Sequence, residues 1–116
     1  MANMKAGADL TGKIGFAVKF DSNGAVVLAT DDTAIGILRN DGKAGETVGV
    51  CVYGKAEVAK LGGTVNAGDQ LMATAGGTLQ VVTDGKKAIA VALEKGVADD
   101  EIEVVVDRDQ HNPSAE

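Results

Sequence analysis

The sequence predicts an all-β protein, a small single-domain barrel or sandwich of about eight short strands with an extended N-terminal arm. Residues 47–58 alternate for twelve positions between a face with four valines and a more polar face, as in a strand packed on one side. Sixteen glycines against a single proline favour many tight turns. Turn signals such as Asn40-Asp41-Gly42 separate apolar runs at intervals of about 8–12 residues, the spacing of small all-β folds.

The predicted strands follow one another along the whole chain. They are Lys13–Phe20, Ala25–Thr30, Ile35–Leu38, one long strand Thr47–Val58, a return strand around Leu71, Thr78–Thr83, Ala88–Leu93 and Glu101–Val106. In the last of these, Ile102, Val104 and Val106 share a face opposite acidic residues, which is typical of a half-buried strand. Residues 88–94 also fit a single helical turn.

Three segments are predicted. Residues 1–11 show neither a helical nor a strand period and are rich in Ala and Gly, so we interpret them as an extended arm that is loose until something orders it. Residues 12–107 form the barrel-like domain, which no internal repeat or linker is expected to divide. Residues 108–116 are polar and unpatterned and are interpreted as a flexible tail.

Charge and composition disfavour several classes of function. The net charge is −6 and the pI is about 4.7, so the surface repels phosphate backbones and direct nucleic-acid binding is not expected. No apolar run approaches the roughly 20 residues that span a bilayer, so no membrane partner is expected and synthesis is placed in a cytoplasm. Two Phe, one Tyr and no Trp make a thin core, which favours association.

Catalytic, cofactor and metal sites are not predicted. The single histidine, His111, lies in the polar tail, where nothing orients it. The acidic pairs Asp31-Asp32 and Asp99-Asp100 fall in predicted loops without the ligand spacing of a calcium site. The single cysteine, Cys51, excludes an internal disulfide and is placed on the polar face of the long strand as an unreactive small residue.

A glycine-rich stretch, residues 36–44, is superficially like a phosphate-binding loop. Five residues instead of four separate its glycines, and Ala44 stands where that loop needs a Ser or Thr for magnesium. The stretch also lies between two predicted strands, so no helix N-terminus faces a phosphate. We interpret it as a hairpin.

An ordered set of short motifs resembles one family across roughly Leu10 to Asp107. The motifs are Gly12-Lys13, Ala34-Ile35-Gly36-Ile37-Leu38, Ala44-Gly45-Glu46-Thr47-Val48, Val50-Cys51-Val52-Tyr53-Gly54, Val65-x-Ala67-Gly68-Asp69-x-Leu71, Ala90-Val91-Ala92-Leu93-Glu94 and Ile102-Glu103-Val104-Val105-Val106. Together they resemble the capsid decoration (cement) proteins of tailed bacteriophages, a family often called a phage recombinase. The absence of a nucleotide-binding loop gives that second name no support.

The resemblance implies a virion structural protein without enzymatic activity or cofactor. It would sit on the capsid exterior as a homotrimer, bridge neighbouring major capsid proteins, and be made in the cytoplasm of the host bacterium. Members of the family often use a terminal arm to reach across subunits, a role that here falls on residues 1–11. Within that arm, Met4, Lys5, Asp9 and Leu10 are the candidate capsid-binding residues.

Two other functions are weighed against this one. A carrier module of the biotinyl or lipoyl type also uses short strands and a similar V-x-A-G-D-x-L return. Its modified lysine would have to be Lys86 or Lys87, although the surrounding residues do not match that pattern. An enzyme working on DNA is the third hypothesis, which an ATPase and strand-exchange assay tests directly.

Overall fold

A computed structural model describes residues 2–107 as an all-β chain of ten strands. In chain order these are β1 Ala2–Lys5, β2 Ala17–Phe20, β3 Val26–Leu28, β4 Gly36–Leu38, β5 Thr47–Cys51, β6 Tyr53–Lys60, β7 Gln70–Ala73, β8 Leu79–Val81, β9 Ala90–Ala92 and β10 Glu101–Asp107. One 3₁₀ turn, Ala75–Gly77, joins β7 to β8. The predicted all-β class is confirmed, and residues 88–94 contribute a strand instead of a helical turn.

The strands form two five-stranded antiparallel sheets. The first has the order β1-β5-β4-β2-β3 and the second the order β6-β10-β9-β7-β8. Each sheet curls until its two edge strands meet, at a parallel bridge between Ala6 and Val26 in the first and between Leu61 and Leu79 in the second. Each sheet is therefore a small, nearly closed barrel.

The two sheets are copies of one plan, so the expectation that no internal repeat divides the chain is wrong. Adding five to each strand number of the first order gives the second order. We call residues 2–51 the first half and residues 53–107 the second half. Equivalent residues lie 53–55 positions apart, as the closing bridges show: Ala6 corresponds to Leu61, and Val26 to Leu79.

The duplication extends to individual loop hydrogen bonds. Three backbone hydrogen bonds of the first half each have an equivalent in the second half. Gly7 N to Val26 O (2.8 Å) is equivalent to Gly62 N to Leu79 O (2.7 Å), and Gly15 N to Leu38 O (2.9 Å) is equivalent to Gly68 N to Ala92 O (2.8 Å). Ile35 N to Val18 O (2.8 Å) is equivalent to Ile89 N to Leu71 O (2.8 Å). A turn side chain is also duplicated, since Glu46 caps the N–H of Lys43 as Asp100 caps that of Val97. Asp99, with φ 73°, stands where the first half has Gly45 at φ 86°.

Two apolar cores result from this arrangement. The smaller core fills the first barrel and contains Leu10, Val18, Val26, Leu38 and Val48. The larger core fills the second barrel and extends to the outer face of the first sheet, where Ala17, Ile37 and Cys51 are buried. The first sheet is consequently covered on both faces, and the halves are packed into one body.

The long strand predicted over residues 47–58 is two strands in different sheets. The chain leaves the first sheet at Cys51, passes through Val52, and enters the second sheet at Tyr53. Cys51 is 3% exposed, not on a polar face as expected, because its side of the first sheet is the side that packs on the second half. Its sulfur lies 3.5 Å from the carbonyl oxygen of Tyr53.

The N-terminal segment belongs to the folded body, which corrects the expectation of a loose arm. Residues 2–5 form β1 and pair with β5, with Met4 opposite Val48. Ala6 and Leu10 are 2% and 1% exposed. The predicted tail 108–116, including His111, lies outside the described residues. Within residues 2–107, no helix is long and apolar enough to cross a membrane.

Candidate interaction surfaces

Three of the four carboxylates in the predicted acidic pairs accept backbone hydrogen bonds, those of Asp31, Asp32 and Asp100. Asp31 accepts hydrogen bonds from the N–H (3.0 Å) and hydroxyl (2.5 Å) of Thr33. Asp32 accepts one from the N–H of Lys87 at 2.9 Å, which ties two loops together. Among residues 2–107, no three His, Cys, Asp or Glu side chains are grouped so as to hold a metal ion. The carboxylates of Asp31, Asp32 and Asp100 thus hold loops in place.

Asp9 makes the same turn as Asp31 near the N-terminus. It accepts hydrogen bonds from the N–H (3.0 Å) and hydroxyl (2.6 Å) of Thr11. In both turns the threonine hydroxyl, and then the threonine N–H, holds the pKa of the aspartate below its ordinary value. Each carboxylate therefore favours the folded chain at neutral pH, and this contribution is lost as the pH falls through the lowered pKa.

Replacing Thr33 by valine is expected to raise the pKa of Asp31 toward the ordinary aspartate value. The methyl group occupies the place of the hydroxyl but donates no hydrogen bond to the carboxylate. A pH titration followed by carboxyl ¹³C NMR measures the shift, and Asp9 in the same sample serves as the internal control. An unchanged Asp31 titration would show that the hydroxyl has no part in the lowered pKa.

The candidate capsid-binding residues differ in accessibility. Lys5 and Asp9 have exposed side chains, Met4 is half-buried against the first core, and Leu10 is buried in it. Leu10 therefore cannot serve as an exposed apolar anchor in this fold. Its backbone N–H donates to the carbonyl of Gly42 at 2.8 Å and fixes the loop that carries Asp9.

The candidate carrier lysines, Lys86 and Lys87, are exposed in the loop between β8 and β9. The N–H of Lys86 donates to the carbonyl of Thr83 at 3.1 Å, so the loop is a tight turn at this point. The intact mass of the chain after co-expression with a biotin or lipoate ligase tests this alternative. An unmodified mass would remove it.

Large apolar side chains are exposed at several places on the surface. Those exposed by 40% or more are Ile14, Phe20, Tyr53, Val81, Leu93 and Val97. A shallow groove of about 100 Å³ lies where the halves meet, lined by Ile14, Leu38, Arg39, Ala56, Glu57 and Val58. It is small, and its lining includes one cation, Arg39, and one anion, Glu57.

The sequence analysis did not predict the surfaces at which the two halves meet, because those surfaces can be recognised only when the chain is seen to be duplicated. The sequence does contain a weak sign of the duplication, since the residues best matched between the two halves are glycines at turns. Gly15 and Gly68 have φ of 94° and 91°, and Gly24 and Gly77 have φ of 82° and 84°. A comparison of the two halves for repeated positive-φ glycines would have found it.

Comparison with solved structures places this fold beside a phage head protein. The chain is similar to the N base of the head fibre protein gp8.5 of bacteriophage phi29, with a TM-score of 0.70 and 16% sequence identity over 96% of each chain. At that identity the likeness shows the fold. Neither a family model nor a curated protein sequence matches the chain.

Proposed function

We propose that this chain is a phage virion structural protein that decorates the outside of the head and stabilises it by bridging neighbouring major capsid proteins. The observation that carries the proposal is the fold, shared over 96% of each chain with the base of a phage head fibre. The ordered motifs between Leu10 and Asp107 support it independently, because they resemble the capsid decoration family. Under this proposal the chain is not an enzyme, needs no cofactor, and binds protein instead of nucleic acid.

The proposed mechanism is stabilisation by binding. A protein that binds the closed shell and not its separated subunits shifts the equilibrium toward the shell by mass action. If three copies act together as a homotrimer, each further contact forms at a high effective concentration, so that individually weak contacts suffice. The surface proposed to contact the capsid is the exposed N-terminal edge carrying Lys5 and Asp9, with Met4 beside them and Leu10 holding their loop in place.

Co-sedimentation with empty, expanded heads of the phage that encodes the chain tests the proposal. Wild-type protein should pellet with the heads to a saturable level. Reversing both charges, as Lys5→Glu with Asp9→Lys, should weaken binding by about tenfold or more, the effect of losing about 1.4 kcal/mol of contact. A matched control reverses the charges of two residues exposed on the second half, as Lys95→Glu with Asp84→Lys.

Two results would count against the proposal. If the wild-type chain stays in the supernatant with expanded heads, a capsid-decorating role is wrong. If it binds but the N-terminal and control variants bind equally well, the role stands and the N-terminal surface is wrong. Protection of heads against heating or chelator then measures stabilisation separately from binding.

A further inference from the structure

The contact between the two halves joins two different surfaces. On the first half it uses the turn at Gly15 and the outer face of the first sheet. On the second half it uses β6 and the turn between β7 and β8. The N–H of Lys60 in β6 donates to the carbonyl of Gly15 at 2.9 Å, and the α-carbon of Gly77 lies against the backbone of Ala17. The contact is thus head-to-tail in character.

Because the halves repeat, each of these surfaces has a counterpart that the contact between halves leaves unused. We call the counterpart on the second half the docking face, formed by Gly68, Gln70, Val91, Leu93 and Val105. These residues correspond, in the same order, to Gly15, Ala17, Ile37, Arg39 and Cys51 of the first half. We call the counterpart on the first half the insertion edge, formed by Lys5, Phe20 and Gly24, which correspond to Lys60, Ala73 and Gly77.

Glycine environments show that both counterparts are open. A β-carbon on Gly15 would collide with Val58, and one on Gly77 would collide with the carbonyl of Ala17. At the equivalent positions Gly68 and Gly24, no atom of residues 2–107 lies within 4 Å of such a β-carbon. The turns at Gly15 and Gly77 are therefore in contact with the other half, whereas the equivalent turns at Gly68 and Gly24 have no such contact among residues 2–107.

The docking face keeps the apolar centre that its counterpart uses. Val91 and Val105 are directly opposite each other on β9 and β10, as Ile37 and Cys51 are on β4 and β5. Ile37 and Cys51 are 0% and 3% exposed beneath the second half, whereas both valines are only partly covered. At the rim, Leu93 is 45% exposed at the position of Arg39.

Charge beside the docking face is neutralised within the second half. Lys55 lies opposite Val105, and its ammonium is 3.0 Å from the carboxylate of Glu103. A protein surface that docks here meets the apolar centre beside a charge that already has a partner.

The insertion edge presents a large apolar side chain at its tip. Phe20 ends β2 and is 50% exposed, while its counterpart Ala73 is fully buried in the larger core. Lys5 lies opposite Thr47 in β5, the register position that Lys60 holds opposite Glu101 in β10. Its N–H is therefore the counterpart of the donor that reaches Gly15.

We propose that copies of this chain associate head-to-tail, with the insertion edge of one copy seated on the docking face of the next. The occupant is a second copy because the chain itself supplies the complementary surface, and each half shows one side of the contact already in use. Repeat proteins need a polar cap at each end to stop such addition, whereas here the ends carry Phe20 and Leu93. The N–H of Lys5 would donate to the carbonyl of Gly68 across the new contact.

This inference is tested without capsids and stands or falls separately from capsid binding, although the insertion edge shares Lys5 with the proposed capsid surface. A head-to-tail contact closes into a ring if its rotation allows and otherwise extends into a filament. A closed ring of three would be the homotrimer invoked above. Residues 108–116 follow β10 in the sequence and are the competing occupant.

Sedimentation velocity on the full chain over a range of concentrations tests the proposal. Wild-type protein should associate, and Phe20→Asp and Leu93→Asp should each prevent it, because a carboxylate cannot be buried unpaired in an apolar contact. Val97→Asp is the matched control, since Val97 is an equally exposed apolar residue outside both surfaces and should leave association unchanged. Circular dichroism establishes that all three variants remain folded.

Mixing the two defective variants distinguishes a head-to-tail contact from a symmetric one. Phe20→Asp retains a sound docking face and Leu93→Asp a sound insertion edge, so an equimolar mixture should form a dimer with one intact contact and grow no further. A symmetric contact would leave the mixture monomeric or paired no better than either variant alone.

Three outcomes would overturn the proposal. The first is a wild-type chain that stays monomeric at all accessible concentrations. The second is association that survives both aspartate substitutions in folded protein. The third is a monomeric wild type that begins to associate when it is shortened to end at Asp107, which would make residues 108–116 the occupant of the docking face.

Discussion

Deleting residues 1–11 is expected to unfold the first half of the molecule. The deletion removes the edge strand β1, opens the first barrel at the bridge between Ala6 and Val26, and takes Leu10 out of its core. Loss of one buried leucine side chain alone costs about 2–5 kcal/mol, against a total stability of roughly 5–15 kcal/mol for a domain. A truncated chain should therefore lose cooperative unfolding in urea and amide dispersion in NMR spectra.

The matched control for this deletion is a variant that ends at Asp107. It removes a terminal segment of similar length and leaves every contact among residues 2–107 in place, so its urea midpoint should stay near that of the full chain. If the protein lacking residues 1–11 keeps the urea midpoint of the full chain, residues 1–11 are an independent arm after all. Loss of capsid binding by that truncation is uninformative unless folding is measured in the same preparation.

Replacing Gly77 by alanine is expected to destabilise the protein far more than the same change at Gly24. The two glycines occupy equivalent turns with φ of 84° and 82°, so each substitution incurs the left-handed backbone penalty of about 1–2 kcal/mol. At Gly77 the new methyl group also meets the Ala17 carbonyl oxygen at 2.7 Å, and overpacking of this kind costs about 1–3 kcal/mol more. The difference between the variants isolates the contact between the halves.

Urea unfolding of both variants gives that difference directly. The Gly24→Ala change meets no neighbour among residues 2–107, so it measures backbone strain alone. Equal losses of stability would mean that the turn at Gly77 is not pressed against the first half. If the Gly24 variant also loses self-association, the insertion edge is the cause, because that turn lies at its tip.

The strand pattern was predictable where one face of a strand meets a core and the other meets water. In β10, Ile102, Val104 and Val106 are buried, as the alternation predicts. The same rule failed over residues 47–58, because alternation continues through Val52 while the chain changes sheets there. Period two reports which way side chains point and carries no information on which strand is the neighbour.

The N-terminal segment and the duplication were missed for a common reason. Ala6 and Leu10 are too few apolar residues to give a period, and their burial comes from pairing with strands some 20 to 40 positions away, at Val26 and Val48. The repeat is equally faint, because equivalent core positions such as Leu10 and Val65 keep their apolar character and not their identity. The docking face and the insertion edge are defined by that duplication, so the composition and residue spacing of the sequence could not predict them.

A chain built twice on one plan carries a hazard during folding. β1 and β6 occupy the same place in their sheets, so either could mispair with the other's partner and trap the chain in an exchanged topology. The pairing of β6 with β10 contains a bulge, with two residues of β6 opposite one of β10 between Ile102 and Val104, whereas the pairing of four-residue β1 with β5 is regular, so the two edge strands are not interchangeable. Refolding from denaturant should accordingly slow when that irregularity is removed, even if the final native state is unchanged.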